Sequence, residues 1–117
     1  FKYMSICSND KMSEITKKIT KFFSALADET RVNILLQLKD NPKTVTQIHN
    51  FFGNEITISA ISHQLRLLYD NDIVVMKKKG RERIYGLSQK YCWCILKDAK
   101  NHFDEKTCKS CMKNYKW

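Results

Sequence analysis

The chain has 117 residues, the size of one ordinary domain, and is long enough to bury roughly two thirds of its unfolded surface. Its 43% hydrophobic content is that of a globular protein, its one proline and three glycines leave no room for long linkers, and no apolar run nears the ~20 residues of a bilayer span. Lysine and arginine number 21 against 12 aspartates and glutamates, giving a net charge of +9 that favours an anionic partner, either nucleic acid or an acidic membrane surface.

Met12, Ile15, Ile19, Phe22 and Phe23 recur at helical spacing and predict a first amphipathic helix. Asp28 has the form of an N-cap for a second, which carries Val32, Leu35, Leu36 and Leu38 and ends at Asp40, Asn41 and Pro42. Thr44 or Thr46 caps a short third helix with Ile48, Phe51 and Phe52, stopped by Gly53 and Asn54. Beyond this tight turn Ile58, Ile61, Leu65 and Leu68 form a fourth stripe, expected to face inward. Asn71 and Asp72 suit its C-terminal end, because short polar side chains tolerate left-handed backbone.

The period changes over residues 73–87, IVVMKKKGRERIYGL. Two β-branched or aromatic runs flank a Lys-Lys-Gly-Arg centre, the pattern of a hairpin with a glycine-containing turn. From Ser88, a candidate N-cap, helical spacing returns through Cys92, Ile95, Leu96, Ala99 and Phe103, and the last dozen residues are basic and poorly patterned. There is no internal repeat or low-complexity tract, so residues 1–117 read as a single domain with terminal dimerisation helices and a basic, cysteine-containing tail.

The resulting fold class is mainly α with a small β-hairpin (α+β), a winged helix-turn-helix forming an elongated homodimer. Its apolar surplus, Ile15, Ile19, Phe22, Ile95, Leu96, Ala99 and Phe103, exceeds what a small winged helix covers by itself and points to the dimer. The second helix of the pair enters a major groove about 12 Å wide, and the wing reaches backbone or minor groove beside it. The inward stripe leaves Thr57, Ser59, Ser62, His63 and Arg66 toward solvent, where hydroxyls and imidazole bond phosphates or base edges and arginine engages guanine. The wing carries Lys77, Lys78, Lys79, Arg81 and Arg83 around Gly80. Such a run on a lone hairpin is a solvated edge, but beside a helix-turn-helix it neutralises phosphates. The partner expected is therefore double-stranded DNA, not a membrane.

Three stretches resemble the ArsR/SmtB family of winged helix-turn-helix repressors: FFSALADETRVNILLQL at 22–38, SAISHQLRLLYDNDIV at 59–74 and GRERIYGL at 80–87. They are similar to the family's "ALADPTR" helix opening, its recognition helix of the form "SAVSHHLKLLREAGLV" and its wing's return strand. Glu29 stands where the family commonly has Pro, and Asp72 where it commonly has Gly. The resemblance implies a dimeric repressor that releases DNA when a metal or a thiol-reactive signal arrives.

One family metal site puts thiolates at the start of the first helix of the pair, but TVTQIHNFFG here holds no cysteine and His49 is alone. A second lies on C-terminal helices crossing antiparallel in the dimer. Its matching positions are Gln89, Tyr91, His102 and Glu105, of which only His102 and Glu105 are fit for zinc.

The five cysteines are an odd number and exclude a complete intramolecular disulfide set. FKYMSICSND lacks a signal peptide's apolar core, and lacks an initiator Met as a trimmed chain would, so a reducing cytoplasm is expected. There, Cys92-x-Cys94 and Cys108-x-x-Cys111 suit a soft metal such as zinc or a reversible dithiol. Cys92 is also a small apolar residue on the packing stripe of a helix from Ser88, with Cys94 about 200° around it. Cys7 is solitary and carries no assigned role. On a continuous helix Cys94 and Cys108 are about 21 Å apart, too far to share a metal within one chain. The antiparallel register implied by the family brings the two pairs within reach across subunits. Two other functions compete: a constitutive or architectural DNA-binding protein with no effector, and a thiol-disulfide enzyme using Cys108 and Cys111. The latter motif lies outside any βαβ pattern, and no catalytic array appears elsewhere, so an enzyme is not expected.

Overall fold

Side-chain caps divide the chain into its helices. The computed structural model describes residues 10–104, in the order α1 (Asp10–Leu26), α2 (Glu29–Leu38), β1 (Lys43–Thr44), α3 (Val45–Phe52), α4 (Ile58–Asp70), β2 (Val74–Lys79), β3 (Glu82–Leu87) and α5 (Cys94–Phe103). Asp28 starts α2 by accepting from the Arg31 backbone N–H at 3.0 Å. Of the two candidate threonines it is Thr44 that caps α3: it accepts from Gln47 N at 3.2 Å while Gln47 Oε1 accepts from Thr44 N at 2.9 Å, a capping box. Thr57 opens α4 by accepting from Ala60 N at 3.1 Å. The turn that stops α3 needs Gly53 at φ 63°, and Asp72 leaves α4 in the left-handed region at φ 60°, as its short polar side chain allows.

The core lies where α2, α3 and α4 meet the sheet. Ile34, Leu35, Ile48, Ile61, Leu65, Leu68, Ile73 and Val74 are all fully buried. The inward stripe of α4 is one residue shorter than expected, for Ile58 is 46% exposed. It is the first helical residue, and Cβ atoms tilt toward a helix's N-terminus, so its side chain leans past the end of the core. Phe51 departs likewise. It shares α3 with buried Ile48 and Phe52 yet is exposed, with its ring edge-on to Phe52 at 5.4 Å.

The expected hairpin is present, with Val74 paired to Leu87 through Lys79 paired to Glu82, and Gly80 takes φ 64° in the turn. It is part of a three-stranded antiparallel sheet of order β1-β3-β2. The two residues of β1, Lys43 opposite Tyr85 and Thr44 opposite Ile84, are too few to show a period in sequence. Because Thr44 is also the cap of α3, the wing's return strand is hydrogen-bonded to the entrance of the helix-turn-helix.

The last helix differs most from expectation. It begins at Cys94, not Ser88. Ser88 is buried in a turn, where its N–H donates to Ile73 O at 3.1 Å and its carbonyl accepts from the Trp93 indole N–H at 2.7 Å. Tyr91 and Trp93 close on Phe22 of α1, with ring centroids 4.8 Å and 5.9 Å away. Satisfying an indole N–H while covering three rings outweighs continuing the helical spacing of Cys92. Along α1, Met12, Ile15, Ile19 and Phe23 are each between 42% and 50% exposed, and Phe103 near the end of α5 is 84% exposed.

Leu65→Ala should destabilise the fold by about 2–5 kcal/mol, since it empties a fully buried site, whereas Ile58→Ala two turns nearer the N-terminus should cost under ~1 kcal/mol. Urea denaturation of both variants checks the contrast, and equal losses would contradict the burial pattern.

Candidate nucleic-acid interface and thiol pair

Because α4 turns Ile61, Leu65 and Leu68 into the core, Ser59, Ser62, His63 and Arg66 are all exposed on its other side. Thr57 is exposed as well, with its hydroxyl oxygen engaged in capping. Arg66 Nε donates to Asp70 Oδ1 at 3.3 Å, and the two side chains are 72% and 55% exposed. Such a surface pair is worth only ~0–1 kcal/mol, so the guanidinium is readily released to a stronger anionic partner.

On the flank of α4, Gln64 Oε1 accepts from Arg31 Nη1 at 3.1 Å, while Arg31 Nε donates to the Ala25 carbonyl at 2.7 Å. One guanidinium thus spans α1, α2 and α4. Helical spacing gives no sign of this link, which joins residues 33 apart in sequence.

The wing follows directly, with Ile73 N–H donating to Leu68 O at 2.9 Å between the last turn of α4 and β2. Lys77, Lys78, Lys79, Arg81 and Arg83 are all exposed. The register sets Lys79 opposite Glu82 but Lys78 directly opposite Arg83. Facing like charges destabilise a hairpin unless an anion lies between them or beside them. The five residues expected to meet DNA on α4 with its cap and the five on the wing therefore all stand exposed, on consecutive parts of the chain.

The thiols sit elsewhere, at the entrance to α5. Cys92 and Cys94 are both free and exposed. Cys92 precedes the helix and is neither on a packing stripe nor on the far side from Cys94. A hydrogen bond to the Cys92 thiol, followed by that group's charge, pushes the Cys94 thiol above its ordinary range. His102 is exposed, with its ring edge-on to Phe103 at 4.8 Å. Tyr91 is occupied in the aromatic cluster, while Gln89 is exposed. His49 Nε2 donates to the Ile56 carbonyl at 2.8 Å, a structural role. Among the described residues no three His, Cys, Asp or Glu side chains come together as metal ligands. Cys7, Glu105, Cys108 and Cys111 lie outside the described residues.

A helix-turn-helix joined to a basic three-stranded wing defines a DNA-binding transcriptional regulator. Residues 28–75 match the family described as bacterial regulatory protein, arsR family. The HTH-type transcriptional regulator NmtR of Mycobacterium tuberculosis is 34% identical over 90 residues, which cover 77% of this chain and 73% of that protein. The solution structure of apo-NmtR superposes with a TM-score of 0.66, covering 79% of this chain and 76% of that one. The arsenical resistance operon repressor of Bacillus subtilis is 32% identical over 81 residues, 68% of this chain and 75% of the repressor. The chain belongs to the arsR family of bacterial regulatory proteins. Among the described residues no helix is long and apolar enough to cross a membrane.

A raised pKa means less thiolate at a given pH, and Cys92 supplies the two largest causes of the rise at Cys94. Cys92→Ala should therefore move the pH profile of Cys94 alkylation to lower pH and speed the reaction at pH ~8, below the ordinary thiol pKa of about 8.5. Peptide-resolved mass spectrometry of iodoacetamide labelling reads this out, and an unmoved profile would show that the two thiols do not interact.

Proposed function

We propose that this protein binds a two-fold symmetric DNA operator as a homodimer, represses transcription from it, and releases it when a soft metal ion or a thiol-reactive signal engages its C-terminal cysteines. The observation that carries the DNA half is the pairing of Lys78 with Arg83 on a wing contiguous with the polar face of α4. That arrangement is unfavourable in isolation and suited to a phosphate. Ser59, Ser62, His63 and Arg66 read base edges or nearby phosphates, Thr57 fixes the end of the helix that enters the groove, and Lys78, Lys79, Arg81 and Arg83 neutralise backbone. The whole of residues 1–117 acts as one DNA-binding domain, with α1 and α5 supplying the dimer contact. The half-exposed Met12, Ile15, Ile19 and Phe23, together with Phe103, are the apolar surface that a second copy covers.

The thiol half rests on the adjacency of Cys92 and Cys94. Two thiolates are half of a tetrahedral zinc site, and one subunit's described residues offer no third ligand beside them. Cys108 and Cys111 of the partner subunit complete the set, or form a mixed disulfide with it, and His102 and Glu105 are secondary candidates. The relative named for an arsenical resistance operon supports a thiophilic signal. Drawing the ends of two helices together alters the angle between subunits. Half-sites must lie about 34 Å apart, so a small rotation costs much of the affinity.

Arg66→Ala or His63→Ala should weaken binding to operator by about 1–3 kcal/mol and leave random DNA nearly unaffected. Arg81→Ala should weaken both alike and flatten the salt dependence by a slope of about one. Fluorescence-anisotropy titrations at several salt concentrations separate the two, and identical behaviour of the Arg66 and Arg81 variants would refute the division of labour.

The shared thiol site predicts complementation. Cys92→Ser/Cys94→Ser and Cys108→Ser/Cys111→Ser should each abolish the response of DNA binding to zinc or oxidant, and mixed heterodimers should recover part of it through one intact site. A response that never returns, with subunit exchange demonstrated, would place the chemistry within one chain.

A further inference from the structure

Ile58 is an apolar residue in a polar place. It is the first residue of α4, 46% exposed, and it follows the Thr57 cap. By helical spacing it lies about 20° from buried Leu65 and about 40° from exposed Ser62, so it sits where the inward stripe borders the polar face that carries Ser59, His63 and Arg66. Ile58 does little for the fold, because Ile61, Leu65 and Leu68 fill the core without it. Its exposed part borders the residues assigned above to base edges, at the end of the helix proposed to enter the groove.

We propose that Ile58 is a specificity-determining residue that recognises thymine through its C5-methyl group in the major groove. The proposal rests on α4 being the recognition helix and names what its first residue reads. The N-terminal residues of such a helix are the ones that reach base edges. Of the groups displayed along the major-groove edge, the thymine methyl is the apolar one, while the other bases present N–H donors, carbonyl oxygens or ring nitrogens. An isoleucine side chain against the methyl removes apolar surface of both from water. Against cytosine the same side chain would cover the N4 amino group and leave it without a partner, which is the source of discrimination. Ser62 and Arg66, farther along α4, supply polar readout of the neighbouring pairs, so a thymine is expected at the point of each half-site where the N-terminus of α4 enters.

The test uses the full chain and a duplex enriched by it from a random pool. Each thymine is replaced in turn by 2′-deoxyuridine, which keeps the base pair and removes only the methyl. One thymine per half-site should be sensitive, with wild-type affinity falling about three- to fivefold per half-site and on the order of tenfold when both are changed. Ile58→Ser should bind the thymine duplex more weakly and lose the distinction between thymine and uracil, whereas Ile58→Val should keep a reduced distinction. Because Ile58 is exposed, both variants should fold, and far-ultraviolet circular dichroism verifies that they do. Wild-type protein that binds the duplex but is indifferent to uracil at every position would overturn the role of Ile58 alone, as would an Ile58→Ser variant with undiminished methyl sensitivity. Failure to enrich any duplex would overturn the recognition-helix assignment and this inference with it.

Discussion

The burial of Ile61, Leu65 and Leu68 against α2, α3 and the base of the sheet fixes the rotation of α4 about its own axis, and with it the set of side chains that face outward. Turning the helix by one residue, about 100°, would bring Ser62, Arg66 and Tyr69 toward the core, or Ala60, Gln64 and Leu67 in the other sense, and carry Ile61, Leu65 and Leu68 out of it. Three apolar side chains, each contributing about 1.5–3 kcal/mol on burial, hold it against such slippage. The Thr57 cap sets where the helix starts, and Asp72 at φ 60° sets where the chain leaves it for the wing. Position, rotation and length of the recognition helix are thus decided by residues that have no need to touch DNA.

Two further links tie this helix to the rest of the molecule. Arg31 bonds the Ala25 carbonyl at the end of α1 and Gln64 on α4, so the long N-terminal helix and the recognition helix share one planar, five-donor group. The two residues of β1 join the wing's return strand to the Thr44 capping box of α3. A shift of α1, whose apolar row is half-exposed and proposed above for the dimer contact, therefore bears on α4 through a hydrogen-bonded contact. The aromatic cluster of Phe22, Tyr91 and Trp93 ties the segment that carries Cys92 and Cys94 to the same N-terminal helix. The helix proposed to carry the dimer contact is thus linked both to α4 and to the segment that holds the thiols.

Much of this was legible in the sequence, for physical reasons that differ by element. Asp28 and Thr44 have short acceptor side chains ahead of apolar periodic runs, and caps are decided by local geometry, so their positions survive folding, whereas Thr57 read only as a solvent-facing residue and proved to be a cap as well. The wing showed itself through a change of period around Gly80. Where the reading failed, tertiary contacts prevailed over spacing. Cys92 fits a helical stripe with Ile95 and Ala99, but the Trp93 indole needed the Ser88 carbonyl and turned residues 88–93 into a loop. Ile58 fits the stripe of α4, but the core ends before it. The Arg31–Gln64 bond and strand β1 are long-range features with no periodic trace. The nine residues proposed for DNA do stand exposed together on α4 and the wing, whereas half of the proposed thiol site lies outside the described residues.

The central claim is that the N-terminal half of α4 lies in the major groove, once per half-site. Methylation interference tests it most directly, because dimethyl sulfate modifies guanine N7 in the major groove and adenine N3 in the minor groove. On a duplex enriched by the protein, guanine N7 methylation should block binding in two clusters centred about one helical turn apart, roughly 10 base pairs, or a multiple of it. Binding that tolerates N7 methylation throughout the site and is blocked only by adenine N3 methylation would contradict the account.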